Sequence, residues 1–440
     1  MMPAHIRPTE GPLRAEDGAI TVFGLFIFVA VLMIAGLALD VSNAYRIRTQ
    51  LQVAGDAAGH AALVAREFNS PSVAIATALE IAHANMPSGD HNSSLRAEDI
   101  VFGHWDGDTG SFEADPNAFD AVLVNTGRSQ DRTNSVSTYL LRFAGITALD
   151  VRRQTVFETY RPTCLKEGLV GEEEVFVNSG NVFVNGFCVH SNDRVGMSNN
   201  NEFEPGTIVS MPDIRSLDIP DNGLESNDGL AAALRDGSYR LRILQRVRDI
   251  IDGVQNPNSV YYPDYIHSSI PIHLNRNDKL DEDAFEEHRI HRIECMASNQ
   301  KTQIHADTVL KNVVIWTNCE FMFGQGVVLE NVVIVNESTS AKSFNAASGV
   351  QIGKDDDCAA GGGAQIVTLG GIQIPAQLMM YGGQMIAVGD VSFEAEAEGI
   401  EGASIVSGGE IIGSSGGRLG FCAGNGMEDN FEAEYFRLAY

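Results

Sequence analysis

A long uninterrupted apolar run near the N-terminus is the strongest pattern in the chain. Residues 19–39 carry no charged side chain, and acidic residues stand on both sides, Asp17 before and Asp40 after. At 1.5 Å per residue, a helix of this length spans about 31 Å, the thickness of a bilayer's hydrocarbon core. The run predicts a transmembrane helix, whose membrane-anchor residues include Ala19, Leu25, Phe28, Leu32 and Leu39.

The helical pattern continues beyond this run. Leu51, Ala54 and Ala58 recur at steps of three and four. The apolar region of a cleaved signal peptide has about 7–15 residues, which is shorter than the run here. We therefore expect a retained anchor that continues into a helical stem over 40–69.

The orientation of the anchor is not decided by its flanking charges. Arg7 and Arg14 precede the run, and Arg46 and Arg48 follow it, so the positive-inside rule gives a near tie. The short N-terminal segment and the downstream cysteines favour a cytoplasmic tail over 1–18. The bulk of the chain is then extracytoplasmic.

Mixed periodicities over 70–160 predict a small α+β module. The expected helices are 73–85 and 135–143, the second capped by Thr133 or Asn134. The expected strands are 100–105, 111–113, 121–125 and 151–160.

Short apolar triplets bounded by Asn, Gly or Asp begin near Cys164 and predict an all-β solenoid. The fold class expected is a right-handed parallel β-helix, with a first part over 161–213 and a main part over 301–440. A helical and loop insertion over 214–300, with one helix over 229–252, is expected between them. Residues 309–315 and 328–334 are close repeats, in which Asn312 and Asn331 share a phase where stacked amides bond in a ladder.

Composition narrows the function classes. The net charge of −28 repels phosphate backbones and argues against nucleic acid as a partner. The 44 glycines suit turn-rich β structure better than helices.

The cysteines are even in number and contain no CxxC pair. One to three disulfides are expected in an oxidising compartment, and buried free thiols are the alternative. The intervals 164–188 and 295–319 are equal in length and close to one solenoid turn, but the pairing stays open. The six candidates are Cys164, Cys188, Cys295, Cys319, Cys358 and Cys422.

The N-terminal residues resemble a known family. The chain is similar to the N-terminal segment of Flp pilus-assembly TadG-like proteins in four stretches. They are the residues 16–23 with their Gly-Ala step, the apolar run, the stretch 39–46 and the Ala-rich stretch 51–62. The resemblance covers about residues 14–66 and extends more weakly to 160. It implies a bacterial inner-membrane component of a tight-adherence system, with an Asp-Val turn after the membrane helix. The von Willebrand metal motif of some relatives is not matched by the string at Asp40.

Candidate chemistry in the body is weak. Asp355, Asp356 and Asp357 are the densest acidic cluster, and they suit an exposed turn better than a catalytic pair. The acidic alternation over 394–398 suits a solvated strand face. The spacing of His288, His291 and Cys295 would suit zinc only on a helix with a fourth ligand. We therefore predict no catalytic, cofactor or metal site.

The functional expectation is a non-enzymatic scaffold or binding protein of the cell envelope. Its expected partners are the inner membrane, components of the Tad pilus or its secretion machinery, and a glycan or protein ligand. The alternative is a membrane-tethered carbohydrate-active enzyme, a polysaccharide lyase or hydrolase, on the same β-helix scaffold.

Overall fold

The computed structural model describes residues 17–86, 94–297, 299–413, 415–422 and 425–440. They form two compact units. The first contains the chain up to Tyr160 together with 434–440, and the second contains 161–433. The predicted fold class is confirmed: an apolar N-terminal helix, a small α+β module and a β-solenoid of about 12 turns follow in order.

The first unit packs two helices on one antiparallel sheet. Helix α1 spans Asp17–Arg66 without a break, and α2 spans Pro71–Asn85. The strands, in spatial order, are Ser111–Ala114, Ile100–Asp106, Ala121–Arg128, Val151–Tyr160 and Tyr435–Leu438. Because the last of these pairs with Val151–Tyr160, the C-terminal residues belong to this sheet and not to the solenoid predicted over 301–440.

The helix predicted over 135–143 is wrong. A two-stranded hairpin stands there, with Val136–Ser137 paired to Ala148–Leu149 around the 3-10 turn Leu141–Ala144. The backbone N–H groups of Tyr139, Leu140 and Leu141 donate to the carboxylate of Asp40 instead of to helical carbonyls. A partner about 100 positions away in the chain thus overrides the local pattern. The other 3-10 turns of this unit are Ala97–Asp99 and Gln130–Arg132.

The second unit coils through three ladders of parallel strands. Its separate strands are Gly168–Gly171, Val175–Val177, Val182–Phe183, Cys188–Ser191, Val195–Met197, Glu202–Phe203, Ile208–Met211, Leu234–Asp236, Ser268–Leu274, Arg289–Ile293, Lys301–Ile304, Val309–Thr317, Glu320–Phe323, Val328–Asn336, Phe344–Ala346, Gln351–Ile352, Ala364–Thr368, Ile372–Ala387, Val391–Ser407, Ile411–Gly413 and Arg418–Gly420. Gly168, Cys188 and Ile208 are successive partners, so the first turns are equal in length.

The first turns of the solenoid stack on its last ones. Gly168–Gly171 pairs with 404–407 on one side and with Cys188–Ser191 on the other. We call this junction between the first and last turns the seam. The other two ladders continue across it, where 411–413 pairs with Val175–Val177 and Arg418 pairs with Val182. The two solenoid parts separated in the sequence therefore form one continuous stack. Its end strands are Leu234–Asp236 and Ser268–Leu274.

Residues 237–267 connect the two ends of the stack, and we call them the return segment. Its apolar side chains Leu241, Val247 and Ile251 cluster with Val170 and Val406, which face outward from the ladder that contains Gly168–Gly171. The segment thereby covers one outer face of the solenoid and shields apolar side chains that would otherwise contact water.

The single helix predicted over 229–252 is also wrong, because the apolar residues of this stretch pack on two different surfaces. Leu230 packs in the solenoid interior, whereas Leu241 and Ile251 pack on its outer face. The helical spacing therefore combines residues that serve two different surfaces. The helices present are Gly223–Ser226, Leu230–Ala233, Arg242–Gln245 and Val247–Gly253, with Thr163–Lys166 preceding the first turn and 3-10 turns at Ile214–Ser216 and Glu282–Ala284. The predicted insertion over 214–300 is partly solenoid, because it contributes strands at both ends of the stack.

Buried amides line one corner of the coil. The Asn201 side-chain oxygen accepts from the backbone N–H of Asn181, and the backbone N–H of Asn201 donates to Asn227, at 2.9 and 2.8 Å. Asn181 in turn accepts from the backbone N–H of Gly417 across the seam, at 3.0 Å. A second pair is the one predicted from the repeats: the Asn331 amide donates to Asn312 at 3.0 Å. Both of these residues have positive φ, the left-handed conformation that asparagine tolerates.

The second unit is also tied covalently at three places. Cys164 bonds to Cys188 and Cys295 to Cys319, each across 24 residues. Cys358 bonds to Cys422 across 64 residues. The expected disulfides are therefore present in this structure.

His291 is a polar residue inside the solenoid. It is in register with the core residue Ile315, and its ring lies edge-on to Phe285. Its Nε2 accepts from the backbone N–H of Glu286 at 3.1 Å, which leaves this nitrogen unprotonated. Burial, and secondarily the charge of Arg289, lowers the pKa of His291 to about 4.

The hydrogen-bonded amides of Asn181, Asn201 and Asn227, which we call the Asn ladder, can be tested for their contribution to stability. Asn201→Ala leaves the buried backbone N–H of Asn181 without its acceptor, and we expect a loss of about 1–3 kcal/mol in unfolding free energy. Asn277→Ala, at an exposed solenoid position, is the control and should change it by less than about 0.5 kcal/mol. The measurement is chemical denaturation of the detergent-solubilised full chain, followed by its far-ultraviolet β signal. Equal stabilities for the two variants would contradict a structural role for the ladder.

The stability of the solenoid should fall as pH drops from 6.5 toward 4. In that window the unfolded chain protonates the histidine but the buried imidazole does not, so the unfolded state binds more protons. Each pKa unit of difference corresponds to about 1.4 kcal/mol. His291→Gln removes this contribution, so its stability should depend less on pH than that of the parent. Trp316 fluorescence in a Trp105→Phe background reports on this unit. Parallel pH curves would disprove the assignment.

Candidate functional site

The N-terminal half of α1 exposes its apolar side chains. Among the residues that the structure describes, this helix alone is long and apolar enough to cross a membrane. Its most apolar stretch of 18 residues is only 6% buried. Of the predicted anchor residues, Leu25, Phe28, Leu32 and Leu39 are exposed, and Ala19 lies in the helix. Such a surface suits hydrocarbon better than water.

The C-terminal half of α1 lies on the sheet of its own unit. Leu51, Ala54 and Ala58 are buried there, and the predicted stem is thus part of the α+β module. Polar residues fix the contact. Thr126 donates its hydroxyl to the carbonyl of Leu51 at 3.1 Å, and Thr155 donates to the carboxylate of Asp56 at 2.8 Å.

Two glycines bring helix and sheet close together. A Cβ at Gly59 would lie 2.8 Å from a ring carbon of Phe157, and one at Gly55 would lie 3.3 Å from a methyl of Thr155. The Ala-rich stretch 51–62 is therefore explained as a surface for helix-on-sheet docking. Small residues allow the approach, and Asp56 and Gln52 supply the polar contacts.

Asp40 stands where the apolar half of α1 ends. Its carboxylate is buried and accepts the backbone N–H groups of Tyr139, Leu140 and Leu141 at 2.5, 3.0 and 2.7 Å. The helix continues through Asp40, so the Asp-Val turn implied by the family resemblance is absent from this chain. This residue links the helix to the hairpin around 136–149.

The pattern of these contacts coincides with a family match. The model of the putative Flp pilus-assembly TadE/G-like family matches residues 18–67, which coincide with α1 to within one residue at each end. The resemblance seen in the sequence is confirmed. The match covers both the exposed apolar half and the docking half of the helix.

The seam joins 168–171 to 404–407, and a second family model spans both sides of it. This model, for a domain of unknown function (DUF7867), matches residues 168–423, more than half of the chain. The chain belongs to the DUF7867 family. No curated protein and no solved structure matches it significantly. The DUF7867 domain is accordingly the solenoid with its return segment.

The acidic candidates of the DUF7867 domain do not converge. Asp355 and Asp357 are exposed in a loop, and Asp356 lies 3.4 Å from the ammonium of Lys354. Glu394 accepts from a backbone N–H of Ser415. Within the described ranges, no group of three His, Cys, Asp or Glu side chains is arranged to hold a metal ion.

The histidine candidates have structural partners. Cys295 is disulfide-bonded, and His291 lies on the strand Arg289–Ile293, so the ligand set that a helix would create does not form. His288 stacks on His267 with ring centroids 4.4 Å apart. His190, which was not a candidate, is also buried: its Nδ1 lies 2.7 Å from the hydroxyl of Ser210, and burial lowers its pKa.

Two polar cavities were not predicted from the sequence. A cavity of about 650 Å³ in the first unit is lined by Arg48, Gln52, Asn125, Arg152, Arg153, Gln154 and Tyr440. Another, of about 340 Å³ in the second unit, is lined by Arg161, Leu165, Lys166, Gln384, Asn425, Met427, Glu428, Asn430 and Glu432. Each combines residues from distant parts of the chain, which local patterns cannot reveal.

Enlarging Gly59 should separate α1 from the sheet. In Gly59→Leu the new side chain clashes with the ring of Phe157, and we expect a loss of about 1–3 kcal/mol. Val64→Leu, on the exposed side of the same helix, is the control and should be nearly neutral. Trp105 fluorescence in a Trp316→Phe background follows thermal unfolding of this unit. If Gly59→Leu melts with the control, the docking contact is not needed.

Proposed function

We propose that this protein is a single-pass inner-membrane component associated with Tad/Flp pilus assembly or surface adherence in bacteria. In this proposal the N-terminus is cytoplasmic, the bulk is periplasmic, and the DUF7867 domain serves as a non-enzymatic scaffold or binding surface. The observation that carries the proposal is the TadE/G-like match at 18–67, which covers the one apolar helix of membrane-spanning length in the described chain.

The disulfides support the extracytoplasmic side. Three bonds lie within the second unit, and disulfides persist in the periplasm but are rare in the reducing cytosol. These bonds therefore favour export of everything after Leu39.

A scaffold role is supported by the build of the DUF7867 domain. Its interior is a continuous apolar core, and its strands join side by side into one stack. Stacked solenoids present long surfaces to extended ligands or to protein partners. A periplasmic protein or a glycan would suit such a surface, and the strong negative charge disfavours nucleic acid.

Deleting the gene in a host that carries the Tad system tests the proposal. We expect surface pili, measured in the sheared fraction, to be lost and to return with the wild-type chain. Normal piliation in the deletion strain would contradict the association.

The non-enzymatic role is tested by the same assay. The variant with Asp355→Asn, Asp356→Asn and Asp357→Asn, and a second with Glu394→Gln and Glu396→Gln, should restore piliation fully. A folded variant that fails would favour a carbohydrate-active enzyme instead.

A further inference from the structure

The hairpin around 136–149 exposes an unusual group of apolar side chains. We call residues 138–147 the hairpin tip. Within it Tyr139, Phe143 and Ile146 are 59, 81 and 45% exposed. Single exposed apolar residues are ordinary on protein surfaces, but three within eight positions form a patch that needs a partner.

The tip reaches the level of the apolar half of α1. A Cβ at Gly36 would lie 2.6 Å from the Cβ of Leu140, so the two residues are in direct contact. Gly36 is buried, whereas its neighbours Met33, Leu37 and Leu39 are exposed. Gly36 lies three residues inside the end of the apolar run, which is about 4.5 Å along the helix axis. Wherever lipid surrounds Leu37 and Leu39, it also reaches the tip.

The backbone of the tip is prepared for an apolar environment. Asp40 accepts three of its N–H groups, as described above. The backbone N–H of Thr138 donates to the carbonyl of Thr147, and the backbone N–H of Ile146 donates to the carbonyl of Leu141, both at 3.1 Å. Because unsatisfied backbone donors are costly in lipid, this internal bonding lowers the cost of insertion.

The side chains that flank the tip suit a membrane interface. The Arg142 guanidinium lies 5.5 Å from the ring of Phe143, and Tyr45 is exposed next to Arg46 on α1. Tyrosine is enriched at the headgroup level, and arginine stems lie along apolar surface while their charges reach the headgroups.

We propose that the hairpin tip inserts into the interfacial layer of the bilayer that α1 crosses, on the side of the folded body. This inference rests on the proposed membrane anchoring. The lipid at the boundary between acyl chains and headgroups then covers the apolar side chains of the tip. The bilayer then holds the α+β module at two places, the helix and the tip. Two points of attachment fix the module's rotation about the helix axis, which a helix alone leaves free.

Depth-dependent quenching tests the proposal. Single cysteines are introduced as Phe143→Cys, Leu32→Cys and Val73→Cys, labelled with an environment-sensitive fluorophore, and reconstituted in vesicles of phosphatidylethanolamine and phosphatidylglycerol. The described cysteines are all in disulfides, so the added thiol is the one that reacts. Val73 is the matched control because it is an exposed apolar residue of the same unit, on α2.

We expect spin-labelled lipids to quench the probes at positions 32 and 143 but not the probe at 73. Quenching at 32 together with a probe at 143 that behaves like the probe at 73 would overturn the inference and leave the anchoring intact. An unquenched probe at 32 would overturn the anchoring itself, and the inference with it.

A second pair of variants tests the contact that sets the depth. Gly36→Leu displaces Leu140 and should reduce quenching of the probe at 143 at least twofold. Gly24→Leu adds the same volume where no atom lies within 4 Å of the new Cβ, and it should leave quenching unchanged. Equal quenching in the two variants would show that the tip is not held against α1.

Discussion

The continuity of α1 is the constraint on which the membrane-related features of this protein depend. One hydrogen-bonded helix changes its surroundings at Asp40, with exposed apolar side chains before it and buried ones such as Leu51 after it. Because no hinge interrupts the helix, the depth of the apolar half determines the position of the sheet that packs on the other half. The Tad-like sequence pattern thereby acquires a physical meaning. Its apolar residues suit lipid, and its small residues and Asp56 suit a β-sheet.

A different constraint governs the DUF7867 domain, the pairing of its first turn with its last. Two separate solenoid segments would expose four open strand edges, and open edges invite aggregation. The seam between 168–171 and 404–407 removes two of these edges. It requires the chain to travel back along the stack, and the return segment covers an apolar outer face as it does so. The family match over 168–423 contains both sides of the seam, as expected if the whole stack is one folding unit.

Local patterns predicted the parts of the structure that depend on local interactions. The apolar run, the strand Val151–Tyr160 and the bonded pair Asn312 and Asn331 all follow from spacing along the chain. The seam could not be predicted, because the residues of a short parallel strand do not indicate which distant strand it pairs with. The hairpin at 136–149 was missed because Asp40 supplies its hydrogen-bond acceptors, and the C-terminal strand was missed because its partner strand lies far earlier in the chain.

We propose that α1 stays in the bilayer and that the rest of the chain lies on the far side. The most direct measurement is labelling of spheroplasts with a membrane-impermeant maleimide, using Lys342→Cys at an exposed solenoid position and Thr9→Cys in the N-terminal tail. We expect labelling of position 342 in intact spheroplasts and of position 9 only after permeabilisation, with both chains resistant to carbonate extraction. Labelling of position 342 only after permeabilisation, or recovery of a soluble chain that begins after Asp40, would contradict it.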